Sequence, residues 1–409
     1  MNFLIFGRKS MLRSTSSFLP KTGLFLLVFS SAVLSVATAT ESIASETVVS
    51  AAEAASPTRA TLEVFDVAKI SKDYELAHAT AQKQGVAGEQ FFWFNDQKRQ
   101  AALAQKLAAI TQSFSGSLGV SVISPSGLVL LANDTDFPLM SVLKMPLVYV
   151  VALEMQRRGD NLDSLVPCGR SCLNADTYSP MFEQLVSNGF SNVDGIHVRK
   201  ADGTRLCFPM RLLISYAVGK SDNNACDLLI SNYLGGPKNV ERALRELGLE
   251  RTNVASTEGE MGINVELSYQ NSASMLDMAK MFALYANDDR ITPEVRQLID
   301  QSMLFNQHGT TRVRAGVALS LERAGLSLEN LRQQGQLEIF DKTGMGGINS
   351  KGQRIAVNDL ALIRLFGQQW VVAISTKNVK DVQSQSVKEA ERVIQQVVAA
   401  IFDEVLKAR

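Results

Sequence analysis

Five short stretches of strand character lie at the two ends of this chain, and a long helical stretch separates them. Leu118–Ile123 and Leu128–Leu131 are rich in Val, Ile and Leu, with Pro125-Ser126-Gly127 as the turn between them. Leu337–Lys342, Arg354–Leu365 and Gln369–Ser375 follow much later, with Gly352 and Gly367 at turns. An isolated hairpin is marginal in water, so the early and late strands are expected to pair across the chain. Gln97–Phe114 carries Ala101, Leu103, Leu107 and Ile110 near helical spacing. Gln385–Lys407 lines Ala390, Val393, Ile394, Val397, Val398, Ile401, Phe402 and Val405 on one face. The pattern predicts an α+β fold, an α–β sandwich. Its five-stranded antiparallel sheet is flanked by the terminal helices on one face and an all-helical block on the other. Sheet residues come from 96–133 and 336–409, the helical block from 134–335. A catalytic cleft is expected between sheet and block.

Composition narrows the function. The 409 residues hold 41 Lys+Arg against 41 Asp+Glu, which argues against a nucleic-acid partner. Arg8, Lys9, Arg13 and Lys21, the apolar run Leu24–Val36 and the small residues Ala37-Thr38-Ala39 read as a cleavable export leader over 1–39. The mature protein is therefore expected in the periplasm or outside the cell, without membrane insertion and as a monomer. Thr40–Arg59 reads as a linker within an extension spanning 40–95, and its aromatic run Phe91-Phe-Trp-Phe94 is expected to pack on the body. Export permits disulfides. One disulfide is expected among Cys168, Cys172 and Cys207, with the pairing open, and Cys226 is expected to stay a buried thiol. His78, His197 and His308 have no ligand spacing, so neither metal nor cofactor is expected.

Three motifs carry chemistry. In Phe137-Pro-Leu-Met-Ser141-Val-Leu-Lys144, the serine and lysine lie one helical turn apart on one face. A serine hydroxyl is a weak nucleophile, and an amine whose pKa is lowered by burial can serve as its base. At a helix start the Ser141 N–H is free to bind an oxyanion. Ser221-Asp222-Asn223 lies in the helical block. Asp341-Lys342-Thr343-Gly344 ends a strand, where Lys and Thr can hold an anionic substrate. Each motif alone is common; their order is not.

From about Gln97 to Lys407 the chain resembles a class A serine β-lactamase, with the fold shared by β-lactamases and DD-peptidases. Thr257-Glu258-Gly-Glu-Met261 with Tyr269-Gln-Asn271 resembles the omega loop of the second class A subgroup, which includes extended-spectrum cephalosporinases. The resemblance implies a β-lactam substrate. It implies that Ser141 forms an acyl-enzyme, that Lys144 and Glu258 activate it, and that Ser221 passes a proton to the leaving nitrogen. Glu258 then activates the deacylating water. Asn223 and Tyr178 would line the substrate, Lys342, Thr343 and Arg312 would bind its carboxylate, and the N–H groups of Ser141 and Met345 would form the oxyanion hole.

The chain also departs from the family. Insertions fall around Asn188–Thr204 and Ser320–Gln336, the extension has no counterpart, and Gly262 stands where Asn or His holds the hydrolytic water. Met345 follows Lys-Thr-Gly in place of a small residue. The alternative is a penicillin-recognising protein, or a peptidoglycan serine peptidase or esterase, with slow or no deacylation.

Overall fold

The computed structural model describes residues 62–84, 89–91, 96–169, 172–201, 205–304, 306 and 309–407. The segments read as a leader (1–39) and a linker (Thr40–Arg59), with Phe92–Phe94 and His308, lie outside these residues. The architecture is the expected α+β sandwich. The main sheet runs in spatial order Gly127–Ala132, Ser117–Ser124, Gln368–Lys377, Val357–Leu365, Leu337–Met345, every pair antiparallel. A sixth, three-residue strand, Glu89–Phe91, comes from the extension and pairs with Gly127–Ala132.

Period-two alternation divides the sheet's side chains between two cores. Val120 and Val122 pack with the terminal helices, and Ile123 with the helical block. All eight apolar residues read onto the last helix, Ser386–Lys407, are buried. On Gln97–Thr111, Leu103 and Leu107 are buried but Ala101 is exposed. Leu337 and Ile339 join the terminal-helix core and Phe340 the opposite one. Lys342, two residues beyond Phe340, therefore faces the helical block.

The extension is built into the body. Phe65 and Ile70 are buried in the core, Asn287 hydrogen-bonds both the N–H and the C=O of Phe65, and Gln369 donates to the Glu63 carbonyl.

The block between the sheet segments is not all helix. It contains Asp136–Pro138 with Ser272–Ser274 and Thr252–Asn253, and Leu165–Cys168 with Arg205–Pro209 and Arg199–Ala201. It also contains the hairpin Asn192–Val193/Ile196–His197. That hairpin turns at Asp194-Gly195, both at positive φ, the Asp-Gly signal of a two-residue turn.

The structure selects one of the three pairings left open. Cys168 is bonded to Cys172 (Cα–Cα 5.7 Å), and Cys207 is a buried free thiol. Register supplies the reason: Cys207 lies opposite Pro167, and Cys168 opposite Leu206. Directly opposed residues share a face, so Cys207 and Cys168 point to opposite sides of the ribbon. Cys226 is buried as read.

Alkylation of the native protein without reductant is therefore expected to leave Cys207 and Cys226 unlabelled, and denaturation to expose those two thiols alone. Mass spectrometry reads the count; a labelled Cys172 would contradict the bridge. Cys172→Ser is expected to lower stability by at most about 2 kcal/mol in urea unfolding, since so short a loop restrains the unfolded chain little.

Candidate active site

Ser141 sits in the tight turn Met140–Leu143 that leads directly into the helix Lys144–Arg158. Met140 adopts positive φ (48°), a costly backbone for a residue with a side chain, and the structure around it enforces the turn. The strand Leu337–Met345 passes close by: a Cβ on Gly344 would lie 3.0 Å from the Leu139 carbonyl and 3.1 Å from the Met140 Cβ. Asn358, wholly buried on the neighbouring strand, donates to the Pro138 carbonyl at 2.6 Å and accepts from Ser375. The Ser141 turn is thereby fixed to the sheet.

Lys144 is wholly buried, and its Nζ meets four acceptors from three segments. Ser141 Oγ lies at 3.0 Å, the Ser221 carbonyl at 2.8 Å, Asn223 Oδ1 at 2.5 Å and Glu258 Oε1 at 3.0 Å. Burial pushes the amine pKa down, but the Glu258 carboxylate, aided by Asp222, outweighs it and the net direction is up. Lys144 is thus an ammonium at neutral pH. The carboxylate beside it reverses the sign that burial alone would give.

Ser221 also has positive φ (57°). Its Oγ accepts from Lys342 Nζ at 2.9 Å. Behind it, buried Asp222 accepts from Ser179 Oγ and from the backbone N–H groups of Met181 and Ala225. One carboxylate so caps Asn223–Asp227 and anchors the start of Pro180–Ser187. Between those anchors, Asn223 donates its N–H to the Tyr178 carbonyl and its Nδ2 to Thr177 Oγ1. The Tyr178 ring remains half exposed.

Glu258 begins the short helix Glu258–Ile263, and Thr257 caps it. Glu260 turns back to accept from Thr257 N and Oγ1, completing a capping box. Of the two glutamates, Glu258 is therefore the one that reaches Lys144. Gly262 follows Glu258 by four residues, on the same helical face, and a Cβ there would have no neighbour within 4 Å.

Lys342 is wholly buried and donates to Ser221 Oγ and the Thr343 carbonyl. Burial, then the charge of Lys144, lowers its pKa to about 7. Thr343 is buried beside it, whereas the Met345 side chain is 54% exposed. Arg312 sits behind the strand end. Its Nη1 donates to the carbonyls of Gly344 and Asn358, and its Nε pairs with Glu391 of the last helix. The structure thus brings Ser141, Lys144, Ser221, Asn223, Glu258 and Lys342 into one connected network. Thr343 and Met345 lie on the adjoining strand, Tyr178 on the loop held by Asn223, and Arg312 one layer back.

Sequence reasoning missed Asp227. Its carboxylate accepts from Glu258 N at 2.7 Å and Gly259 N at 2.8 Å. Burial chiefly raises its pKa to about 7, against the pull of those two donors. The available signal was its spacing of four from Asn223, which puts it on the same helical face. Among the described residues no cluster of three or more His, Cys, Asp or Glu is arranged to hold a metal.

The sequence model of the β-lactamase enzyme family matches residues 102–405. Among curated relatives, an extended-spectrum β-lactamase, PER-1, of Pseudomonas aeruginosa is 26% identical over 320 residues, 78% of this chain and 92% of that protein. A β-lactamase of Bacteroides uniformis is 24% identical, covering 68% and 83%. Among solved structures, a class A β-lactamase from Bacteroides cellulosilyticus superposes with a TM-score of 0.59 at 20% identity. That match covers 75% of this chain and 99% of the other. The extended-spectrum β-lactamase TLA-1 gives 0.62 at 19% identity, with the same coverage.

Asp227→Asn keeps one acceptor for two amide donors and is expected to cost roughly 1–3 kcal/mol, the penalty of a buried unpaired group. Urea unfolding measures the loss. Hydrogen exchange should rise at the Glu258 and Gly259 amides and stay unchanged at the Met181 and Ala225 amides held by Asp222. An unchanged exchange pattern would argue against Asp227 as the loop's anchor.

Proposed function

The chain belongs to the β-lactamase enzyme family, and we propose that it opens the ring of penicillins and cephalosporins through an acyl-enzyme on Ser141. The observation that carries this reading is the buried Lys144 ammonium touching both Ser141 Oγ and Glu258 Oε1. With Lys144 already protonated, the base that suits the resting state is Glu258, acting through a water. Ser141 Oγ attacks the lactam carbonyl, its proton passes toward Glu258, and the oxyanion rests on the N–H groups of Ser141 and Met345. The C–N bond breaks as the nitrogen takes a proton from Ser221 Oγ, which lies against Lys342 Nζ. The proton that Glu258 took up is returned through Lys144 to make good that loss, so Glu258 is a carboxylate again before deacylation. Lys342 and Thr343 hold the substrate carboxylate. Arg312 supports them from behind by fixing the strand end through Gly344 and Asn358, while Asn223 and Tyr178 line the side-chain end. Glu258 then deprotonates a water that attacks the ester and restores Ser141.

Gly262 favours a second reading, a penicillin-recognising protein that releases its acyl group slowly. The space beside Gly262, one turn from Glu258, has no side chain to position a water. The leader over 1–39 supports export to the periplasm or beyond, and among the described residues no helix is long and apolar enough to cross a membrane.

Mass spectrometry of purified protein with a chromogenic cephalosporin tests both readings. Ser141→Ala is expected to lose turnover and covalent labelling together; a labelled Ser141→Ala protein would overturn the assignment. Glu258→Ala is expected to accumulate adduct while steady-state turnover falls by about 10²–10⁴-fold, the usual contribution of a general base. Gly262→Asn, which meets no neighbouring atom at its Cβ, is expected to speed deacylation. A burst in the wild type that Gly262→Asn abolishes would identify that position as the limit.

KM should rise with pH through about 7. There Lys342 loses the charge that holds the substrate carboxylate, while below that pH the ammonium is present and binding is strongest. A KM that stays flat across the interval would exclude Lys342 as the carboxylate's main partner.

A further inference from the structure

The far half of the Ser141–Lys144 helix borders a groove of about 920 Å³ that the proposed chemistry does not use. It runs between Lys144–Arg158 and the helix Pro237–Glu246. Its floor is aliphatic, formed by Val150, Leu153, Leu234 and Leu247. Its rim is cationic, with Arg157, Arg158, Arg242 and Arg290 set against Glu154 and Glu246. The volume falls within the range of small-molecule sites.

The rim guanidiniums are oriented before any ligand arrives. Glu154 holds two of them at once, Arg157 through Nε and Nη2 and Arg158 through Nε, each at 2.6 Å. Arg158 is further fixed by the Tyr233 carbonyl and lies over the Tyr233 ring. Across the groove, Arg242 is steadied by the neutral Asn239 side chain. Arg290 is paired with Asp288. One carboxylate thus serves two guanidiniums on one wall, and a neutral amide serves the guanidinium opposite. The lining keeps an excess of positive charge, with guanidinium donors left for an anion. An aliphatic floor beneath such a rim asks for an apolar tail and an anionic head in the same ligand.

We propose that this groove binds a free, single-chain anionic amphiphile, its tail along Leu153 and Leu247 and its carboxylate or phosphate between Arg157 and Arg242. A flat bilayer would present headgroups to the rim but no chain to the floor, so the groove suits a monomeric ligand. The site lies at the opposite end of the helix from Lys144, so occupancy and ring opening are measured separately.

Titration calorimetry of the full-length mature protein with dodecyl phosphate below its micelle concentration tests this. Saturable one-to-one binding is expected, stronger than that of inorganic phosphate or of dodecyltrimethylammonium. The double variant Arg157→Gln/Arg242→Gln should weaken it by about tenfold or more, the loss expected of charge-assisted hydrogen bonds. Both side chains are exposed, so the melting temperature and cephalosporin hydrolysis should stay as in the wild type. Leu247→Gln should weaken dodecyl phosphate but leave inorganic phosphate unchanged. Four outcomes would overturn the proposal: no binding, equal binding by the cationic analogue, equal binding by the arginine variant, or capture of phosphatidylglycerol vesicles without binding of monomeric dodecyl phosphate.

Discussion

A buried ammonium must be surrounded by acceptors or give up its proton. Lys144 meets that demand with four groups from three segments: the turn at Ser141, the Ser221–Asn223 loop through one backbone carbonyl and one side chain, and the start of the helix at Glu258. None of these segments is a neighbour in sequence except Ser141. The charge therefore dictates how the helical block closes on itself. The same requirement explains the loops behind it, because each acceptor must be held still.

Carboxyl and amide side chains, buried or partly buried, supply that restraint. Asp222 joins two helix starts, Asp227 clasps the first amides of the Glu258 helix, and Asn358 ties the segment before Ser141 to the sheet. All are short side chains, with little rotamer entropy to lose. All accept or donate to backbone groups, so they place the chain itself and only through it the reactive side chains. Strained backbone at Met140 and Ser221 persists because these contacts over-determine it.

Much of this was legible in the sequence. The strands at the two ends announced a sheet that closes the chain, and the order of Ser-x-x-Lys, Ser-Asp-Asn and Lys-Thr-Gly announced the network. Glu258 and Glu260 differ by two residues, yet Thr257-x-x-Glu260 is itself a readable capping box that frees Glu258 for the interior. Other features depend on three-dimensional neighbours. The direction of the Lys144 pKa depends on a carboxylate more than a hundred residues away. The cysteine pairing depends on a strand register, and strands of two or three residues carry no alternation to detect. Asp227 stood inside a motif already singled out, but only its distance to the Glu258 amide gives it a role.

The sheet's two borders have different fates. On one side, Glu89–Phe91 lies along Gly127–Ala132 and occupies hydrogen-bonding groups that would otherwise face outward. On the other, Leu337–Met345 is the terminal strand of the sheet among the described residues, and it carries Lys342 and Thr343. An open strand edge is sticky toward any extended backbone. A recombinant form trimmed to begin at residue 96 would gain a second such border, remote from the cleft, together with the apolar surface that Phe65 and Ile70 now cover. Self-association through that new border, with the reactive network intact, is the behaviour to watch for when the protein is shortened for crystallisation.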